Sequence, residues 1–171
     1  DPCGKALTSH KKVARVSFTG GPGAARQILH NSAENFAEVS LELGGKSPFI
    51  VFEDANIESA VNGSIAGIFG ATGQSCVAGS RLYLQEDIAD EFLDRMVGLA
   101  KDIVIGDPLA DATQMGPLCT QGQMDCVERE VARALDEGGT LLCGGQRPKG
   151  LSGNYYEPTI IECPSQKMHI V

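Results

Sequence analysis

The sequence predicts an α/β fold in which a largely parallel, twisted sheet is flanked by helices. Short apolar runs of strand length alternate along the chain with longer segments whose apolar residues recur at helical spacing. Glycine is also frequent, with 21 among 171 residues, and glycine pairs or clusters punctuate these segments. Strands that alternate with helices in this way are typical of α/β proteins with parallel strand pairing.

The first predicted elements form half of a nucleotide-binding α/β unit. Residues 13–18 predict a short strand, because apolar and polar side chains alternate there. A glycine-rich turn over 19–23 leads into a predicted helix over 24–32, and residues 39–43 predict the next strand. Strand, glycine turn and helix in this order are the opening of such a unit. We place a domain boundary at Gly44-Gly45.

The remaining elements continue the alternation of strands and helices. Residues 48–52 are a compact apolar strand, and Asp54 is expected to cap the next helix, whose apolar stripe ends at Phe69. Later elements are a strand over 81–85, a helix from 86 or 87, a helix over 120–138, a strand over 140–143 and a final strand over 155–162. The apolar faces predicted for the two later helices include Ile88, Phe92, Met96 and Leu99 on the first and Val127, Val131 and Leu135 on the second.

Composition and charge exclude several classes of partner. The formal net charge of -8 disfavours nucleic acids and anionic membranes, because both bind basic surfaces. No apolar run approaches the roughly 20 residues that cross a bilayer. The six cysteines show no C-x-x-C spacing and the 3 histidines are scattered, so no metal site is predicted. We expect free thiols and a cytoplasmic location.

Cys76 is the first candidate functional residue. It lies in a glycine-flanked segment just beyond an apolar helix, where a side chain can be presented at the mouth of a cleft. A cysteine attacks as the thiolate, and a free thiol has a pKa of about 8.5, so a base or a positive potential must lie nearby. The alternative is a small buried hydrophobic residue. That alternative also applies to Cys3, Cys119, Cys126, Cys143 and Cys163.

Glu42 and the glycine turn are the other candidates. Glu42 ends an apolar run, where a partly buried carboxylate with a raised pKa serves as a general base near neutral pH. The alternative is the solvent-facing member of an alternating strand. The turn over 19–23 offers backbone N–H groups at a helix start, which suit a phosphate. It lacks the usual G-x-G-x-x-G order, so a plain tight turn is the alternative.

Three motifs together resemble the aldehyde dehydrogenase superfamily in sequence, order and spacing. They are Phe18-Thr19-Gly20, Glu42-Leu43-Gly44-Gly45-Lys46-Ser47-Pro48 and Gly73-Gln74-Ser75-Cys76-Val77-Ala78-Gly79-Ser80-Arg81. Shorter similarities follow at Gly106-Asp107-Pro108, Met115-Gly116-Pro117, Gly144-Gly145 and Tyr156-Glu157-Pro158-Thr159. The resemblance implies oxidation of an aldehyde to a carboxylic acid with NAD or NADP. It also implies that residues 1–43 end the dinucleotide-binding domain and that 44–171 belong to the catalytic domain.

The resemblance implies roles for particular residues. Cys76 matches the nucleophile, which forms a thiohemiacetal and then a thioester. Glu42 matches the base that activates the thiol or the hydrolytic water. The positions matched to the cofactor site are Thr19, Gly20, Gly21 and Leu43. Ser75 and Val77 flank the nucleophile and are expected to shape the aldehyde tunnel, while Lys46 and Arg81 are expected to be structural.

Departures from the family pattern concern the cofactor. The family usually has serine where this chain has Gly21, and glycine where it has Ala25. The family's chain is longer, with an upstream adenine-binding region and oxyanion-binding asparagine and a downstream glutamate-x-phenylalanine-glycine-proline motif. One lost oxyanion donor costs about 10²–10³ in rate, so we expect this chain alone to have little or no dehydrogenase activity. The full-length protein is expected to be a homo-oligomer.

Two further function classes are open at this point. A Cys/Glu thioesterase or acyltransferase would use the same pair of residues without a nicotinamide, and would hydrolyse p-nitrophenyl acetate in the absence of NAD. A non-catalytic scaffold or oligomerisation module would be unaffected by Cys76→Ala. Preferential alkylation of Cys76 near neutral pH would argue against the scaffold.

Overall fold

The computed structural model describes residues 2–171 and contains two compact units, Asp1–Gly45 and Lys46–Val171. The amino-terminal unit consists of α1 (Pro2–Thr8), β1 (Arg15–Gly20), α2 (Pro22–Ser32) and β2 (Glu38–Leu43). The carboxy-terminal unit consists of β3 (Pro48–Val51), α3 (Ile57–Phe69), a 3₁₀ turn (Gly70–Gly73), β4 (Arg81–Leu84), α4 (Glu86–Lys101), α5 (Gln121–Asp136), β5 (Thr140–Cys143) and β6 (Ile160–Glu162).

In the amino-terminal unit, β1 and β2 pair in parallel and α2 connects them. The first strand runs two residues further than predicted, because Thr19 and Gly20 still pair with β2. The predicted five-residue glycine turn is therefore wrong, and the strand-to-helix connection is the single residue Gly21. The sequence pattern did not predict α1. The Asn31 side chain of α2 donates to the Thr8 hydroxyl at the end of α1, at 2.9 Å.

In the carboxy-terminal unit, β3 and β4 pair in parallel, whereas β5 and β6 pair antiparallel. Parallel pairing is thus confirmed for two of the three strand pairs found among residues 2–171. The predicted final strand is too long, since only Ile160–Glu162 joins the ladder. Before it, the Glu157 N–H donates to the Gln146 carbonyl at 2.9 Å, and Pro158 has no N–H to donate.

The main core of the carboxy-terminal unit lies where α3 and α4 pack against β3 and β4. Phe92 is fully buried at 0% exposure, beside Val61 and Val51. The apolar stripe predicted for α3 is confirmed, but its cap is not Asp54. Asn56 is the N-cap and accepts the Ser59 N–H at 2.9 Å, because the helix begins at Ile57.

Two residues predicted to face the core do not. Leu99 of α4 is 41% exposed and Leu135 of α5 is 37% exposed. On α5 the buried positions are Met124, Val131 and Ala134, and Val127 packs against the same core, so the predicted face is confirmed at Val127 and Val131 and wrong at Leu135. Met124 and Val131 form a second core with Leu118 and Tyr156. No helix within residues 2–171 is both long and apolar enough to span a bilayer.

Candidate active site

The candidate site of the amino-terminal unit lies at the carboxyl ends of β1 and β2. In the parallel register, Thr19 is opposite Glu42, and Gly20 is opposite Leu43. The side chains of paired residues in a sheet point to the same face. Thr19 and Glu42 are both exposed. The amino-terminal unit therefore brings together four of the residues singled out from the sequence, at one edge of its sheet.

Gly21 joins this edge to α2 and leaves the start of the helix open. Its backbone is extended, with φ -84° and ψ 156°, and no side chain caps the helix. Pro22 begins the helix, as its fixed φ favours. A Cβ at Gly21 would meet no heavy atom within 4 Å. A helix start with uncapped N–H groups and open space in front of it suits an anion. Ala25, one turn on, is buried.

Glu42 does not have the partial burial expected of it. Its carboxylate is exposed, because Leu41 and Leu43 take the inward positions on either side. Within residues 2–171, no hydrogen bond or ion pair engages the Glu42 side chain. Both carboxylate oxygens are thus without a partner among the described residues.

The candidate site of the carboxy-terminal unit is the cysteine turn, residues 74–78. The Ala78 N–H donates to the Ser75 carbonyl at 3.2 Å, so Cys76 and Val77 occupy the two corners of a tight turn. Ser75 and Cys76 are exposed and Val77 is 75% exposed, whereas Ala78 is only 5% exposed. The fold therefore holds the turn at one end and presents the three residues singled out from the sequence to solvent.

The backbone N–H and the sulfur of Cys76 are both without a hydrogen-bond partner among the described residues. Addition of a thiolate to a carbonyl needs the sulfur and, close by, a donor for the oxygen that becomes negative. A single residue of this turn presents both.

The other cysteines differ from Cys76 in burial or in setting. Burial raises the pKa of the Cys143 thiol, which lies 3.6 Å from the Pro158 carbonyl, and it also raises the pKa of Cys163. Both therefore favour the unreactive thiol form. Cys119 is exposed, as Cys76 is, but it lies just before α5 and not at the corner of the cysteine turn. Exposure by itself does not single out Cys76.

The backbone before the cysteine turn is strained. Ala71 and Thr72 have φ of 49° and 58°, in the left-handed region that disfavours residues with a Cβ. Gly73 follows at φ 70°, where glycine has no such penalty. Such backbone strain costs about 1–3 kcal/mol for each residue and clusters at functional sites. The strain at Ala71 and Thr72 therefore lowers the stability of the fold while it sets the backbone geometry just before the cysteine turn.

We expect Ala71→Gly to raise the free energy of unfolding of the carboxy-terminal unit by about 1 kcal/mol, because glycine relieves the left-handed strain. Urea titration followed by circular dichroism measures the change. The matched control is Ala66→Gly at an exposed position inside α3, where glycine should lower stability by about 1 kcal/mol. A loss of stability in both variants would show that Ala71 carries no strain.

Residues 1–171 match the aldehyde dehydrogenase family. The chain belongs to this family. The family assignment and the α/β fold expected from the sequence are both confirmed. The match spans both units, including the β1–β2 edge and the cysteine turn.

The chain resembles aldehyde dehydrogenases from several sources. It is 54% identical over 161 residues to the (Z)-2-((N-methylformamido)methylene)-5-hydroxybutyrolactone dehydrogenase of Acinetobacter baylyi, covering 94% of this chain and 33% of that protein. It is 44% identical over 168 residues to chloroplastic betaine aldehyde dehydrogenase of Atriplex hortensis, covering 98% and 34%. The crystal structure of PnpE in complex with nicotinamide adenine dinucleotide gives a TM-score of 0.88 at 46% identity, covering 92% and 33%. The chain thus spans about a third of the length of these relatives.

Sequence reasoning missed two residues that hold the cysteine turn. The Thr72 hydroxyl donates to the Gly116 carbonyl at 3.2 Å, and the Gln74 Oε1 accepts the Cys119 N–H at 3.0 Å. No local pattern predicts these bonds, because their partners are 44 and 45 positions apart. The only signal was that Gln74 lies within the cysteine motif of the aldehyde dehydrogenases.

Arg81 was expected to be structural, and its contacts fit that role. Its Nε donates to the Lys46 carbonyl at 2.8 Å, at the point where β4 begins beside β3. Its guanidinium also lies 5.9 Å from the centre of the Tyr83 ring. These contacts hold β4, the strand that follows the cysteine turn, beside the start of β3.

Proposed function

We propose that this chain is the thiol-bearing part of an NAD- or NADP-dependent aldehyde dehydrogenase that oxidises an aldehyde to a carboxylic acid. One observation carries the proposal. Cys76 lies at the corner of an exposed turn with its sulfur and its backbone N–H both open. The membership of the whole chain in the aldehyde dehydrogenase family gives this geometry its chemical meaning.

Cys76 performs the first step. Its thiolate Sγ adds to the aldehyde carbonyl carbon, so that a C–S bond forms and the C=O π electrons move to the oxygen. The Cys76 N–H is available to donate to this oxygen, which stabilises the charge that develops there. The product is a thiohemiacetal. Ser75 and Val77, exposed on either side, are the residues that the approaching aldehyde meets first.

The β1–β2 edge would hold the cofactor. Thr19, Gly20, Gly21 and Leu43 are the residues assigned to it, and the open helix start at Gly21 fits the approach of an anionic group. With glycine at that position, the backbone rather than a hydroxyl would make the contact. When bound, NAD or NADP would supply the acceptor for the hydride that leaves the carbon bonded to Sγ, and Cys76 would then carry a thioester.

Glu42 is assigned the role of general base. Its exposed carboxylate takes a proton from the Cys76 thiol, or from the water that attacks the thioester carbon. In the second case the C–S bond breaks, the carboxylic acid leaves and the Cys76 thiolate is regenerated. An aldehyde substrate, a homo-oligomeric full-length protein and a cytoplasmic location belong to the same proposal. They rest on family membership alone.

A chimera tests the proposed function directly. This chain replaces the matching third of the Acinetobacter baylyi dehydrogenase, to which it is 54% identical, and NAD reduction is followed with propanal, betaine aldehyde and the hydroxybutyrolactone in that enzyme's name. Substrate-dependent NAD reduction supports the proposal if Cys76→Ala and Glu42→Gln each abolish it. A folded chimera that is inactive, or one that Cys76→Ala leaves unchanged, contradicts the assignment and favours a scaffold.

The isolated chain is expected to show little or no NAD reduction with propanal or betaine aldehyde. The reason is that it spans about a third of its relatives, and the loss of even one oxyanion donor costs about 10²–10³ in rate. The measurement is absorbance at the NADH wavelength, and the betaine aldehyde dehydrogenase of Atriplex hortensis, with betaine aldehyde, is the positive control. Turnover comparable to that of this enzyme would show that residues 1–171 hold a complete active site.

A further inference from the structure

We propose that Gln74, together with Thr72, is a positioning residue that aligns the backbone N–H of Cys76 with its sulfur. The two side chains attach the cysteine turn to residues 116–119, which we name the anchor segment. The inference rests on the proposed role of Cys76 as the nucleophile. It assigns Gln74 no contact with substrate or cofactor.

The Gln74 side chain uses both ends of its amide. Its Oε1 accepts the Cys119 N–H at 3.0 Å, and its Nε2 donates to the Ala71 carbonyl at 3.2 Å. The Gln74 backbone N–H donates to the same carbonyl at 3.1 Å. Two residues earlier, the Thr72 hydroxyl donates to Gly116 at 3.2 Å. Both side chains therefore form hydrogen bonds with the anchor segment. Gln74 also holds the strained backbone, because two of its N–H groups donate to the Ala71 carbonyl.

Apolar packing does not hold the cysteine turn in its conformation. Ser75, Cys76 and Val77 are exposed, and only Ala78 of the cysteine turn is buried. An open cavity of about 260 Å³ borders Thr72 and Gly116, so this side of the strained backbone also lacks solid packing. Where burial is small, the polar contacts decide which backbone conformation is populated.

The anchor segment, in contrast, is firmly held. Leu118 is 5% exposed in the second core, and Met115, just before the segment, is 5% exposed in the main core. The Leu118 N–H also donates to the Asn154 carbonyl at 2.8 Å. Thr72 and Gln74 thus connect an exposed turn to backbone that the cores fix in place. Without them, the left-handed conformation of Ala71 and Thr72 would have little to maintain it.

The consequence is specific to carbonyl addition. Acylation of Cys76 by an ester needs the sulfur and an N–H aimed at the same oxygen. Alkylation by iodoacetamide needs only an accessible sulfur, because no oxyanion forms. Loss of the Gln74 contacts should therefore slow acylation and leave alkylation unchanged. A purely structural role would affect both reactions through unfolding, or neither.

The experiment measures acylation of Cys76 by p-nitrophenyl acetate in the 171-residue chain, with Cys76→Ala as the blank. Gln74→Met keeps the length of the side chain and removes both amide contacts. We expect a fall of roughly 10-fold in the maximal acylation rate, with the half-saturating ester concentration unchanged. Iodoacetamide labelling of Cys76, read by peptide mass spectrometry, should stay within about 2-fold of the wild-type rate.

Three further variants complete the design. Thr72→Val keeps the β-branched shape and should also lower the acylation rate, while Gln74→Glu keeps the acceptor for Cys119 and should recover part of it. Gln123→Met, at an exposed position on α5, is the matched control and should change nothing. Thermal unfolding of each variant identifies any that fail to fold. If Gln74→Met or Thr72→Val fails to fold, the other of these two variants tests the positioning role.

The outcomes separate this inference from the proposed function. Lower acylation with unchanged alkylation in Gln74→Met and Thr72→Val supports the positioning role. Unchanged acylation in folded Gln74→Met overturns that role and leaves Cys76 as the nucleophile. Equal losses of acylation and alkylation also overturn it. Absence of Cys76-dependent acylation in the wild-type chain contradicts the proposed function itself, and the positioning role falls with it.

Discussion

Cys76→Ser is expected to lower the rate at which p-nitrophenyl acetate acylates the chain by at least about 100-fold, because a serine hydroxyl is far less ionised and less nucleophilic near neutral pH than a thiol. Serine keeps the size and the turn conformation of the native residue, so the backbone N–H stays in place. The release of p-nitrophenolate, followed in a stopped-flow instrument, gives the rate.

Cys119→Ser is the matched control for this measurement. Cys119 is also exposed, and its contact with Gln74 is made by its backbone N–H, which the substitution retains. Cys119→Ser should therefore acylate at the wild-type rate. A comparable loss in both variants, or a loss confined to Cys119→Ser, would remove Cys76 from its assigned role.

The time course of the same reaction distinguishes a dehydrogenase part from a thioesterase. A chain whose dehydrogenase site is incomplete should release one equivalent of p-nitrophenolate and then slow, since the thioester is hydrolysed poorly. Rapid continued turnover in the absence of NAD would favour the thioesterase alternative. A scaffold would show no difference between the wild-type chain and Cys76→Ser.

Phe92→Ala is expected to lower the free energy of unfolding of the carboxy-terminal unit by about 3–5 kcal/mol, the usual cost of removing a buried phenylalanine. Phe92 has 0% exposure and lies on α4 in the main core. Because a typical domain is stable by only about 5–15 kcal/mol, the variant should be partly unfolded at moderate temperature. Urea titration with the linear extrapolation measures the change.

Leu99→Ala, on the same helix, provides the comparison. Leu99 is 41% exposed, so its replacement should cost less than about 1 kcal/mol. The helix propensities of the two variants change in the same direction, and the difference between them isolates burial. Similar costs at Phe92 and Leu99 would mean that α4 does not pack by the face described.

Local patterns in the sequence predicted the order of the elements well. The stripe of α3 and the turn that ends α5 are examples. Gly138 has a φ of 96° and donates to the Leu135 carbonyl, while Gly139 donates to Ala134, so the glycine pair stops the helix as expected. These features depend on neighbours within a few residues, which is why periodicity and glycine placement were sufficient.

The errors arose where a distant partner decides the structure. Asp54 and Asn56 are both good caps, and Asn56 is the one that directly precedes Ile57, the first helical residue, which packs against the main core. Thr19 and Gly20 look like turn residues, yet they extend β1 because β2 offers Glu42 and Leu43 as partners. Leu99 fits the apolar period of α4, but it is 41% exposed because the packed elements cover it only in part.

The sequence by itself determined the family, the α/β class and the candidacy of Cys76 and Glu42, because the motifs that carry them are continuous in the chain. Tertiary structure decided how these residues are presented. It left Glu42 exposed rather than partly buried, placed Cys76 at the corner of a turn, and tied that turn to Gly116 and Cys119. The physical reason is that burial and hydrogen bonds between residues more than 40 positions apart are properties of the packed chain, and no local pattern contains them.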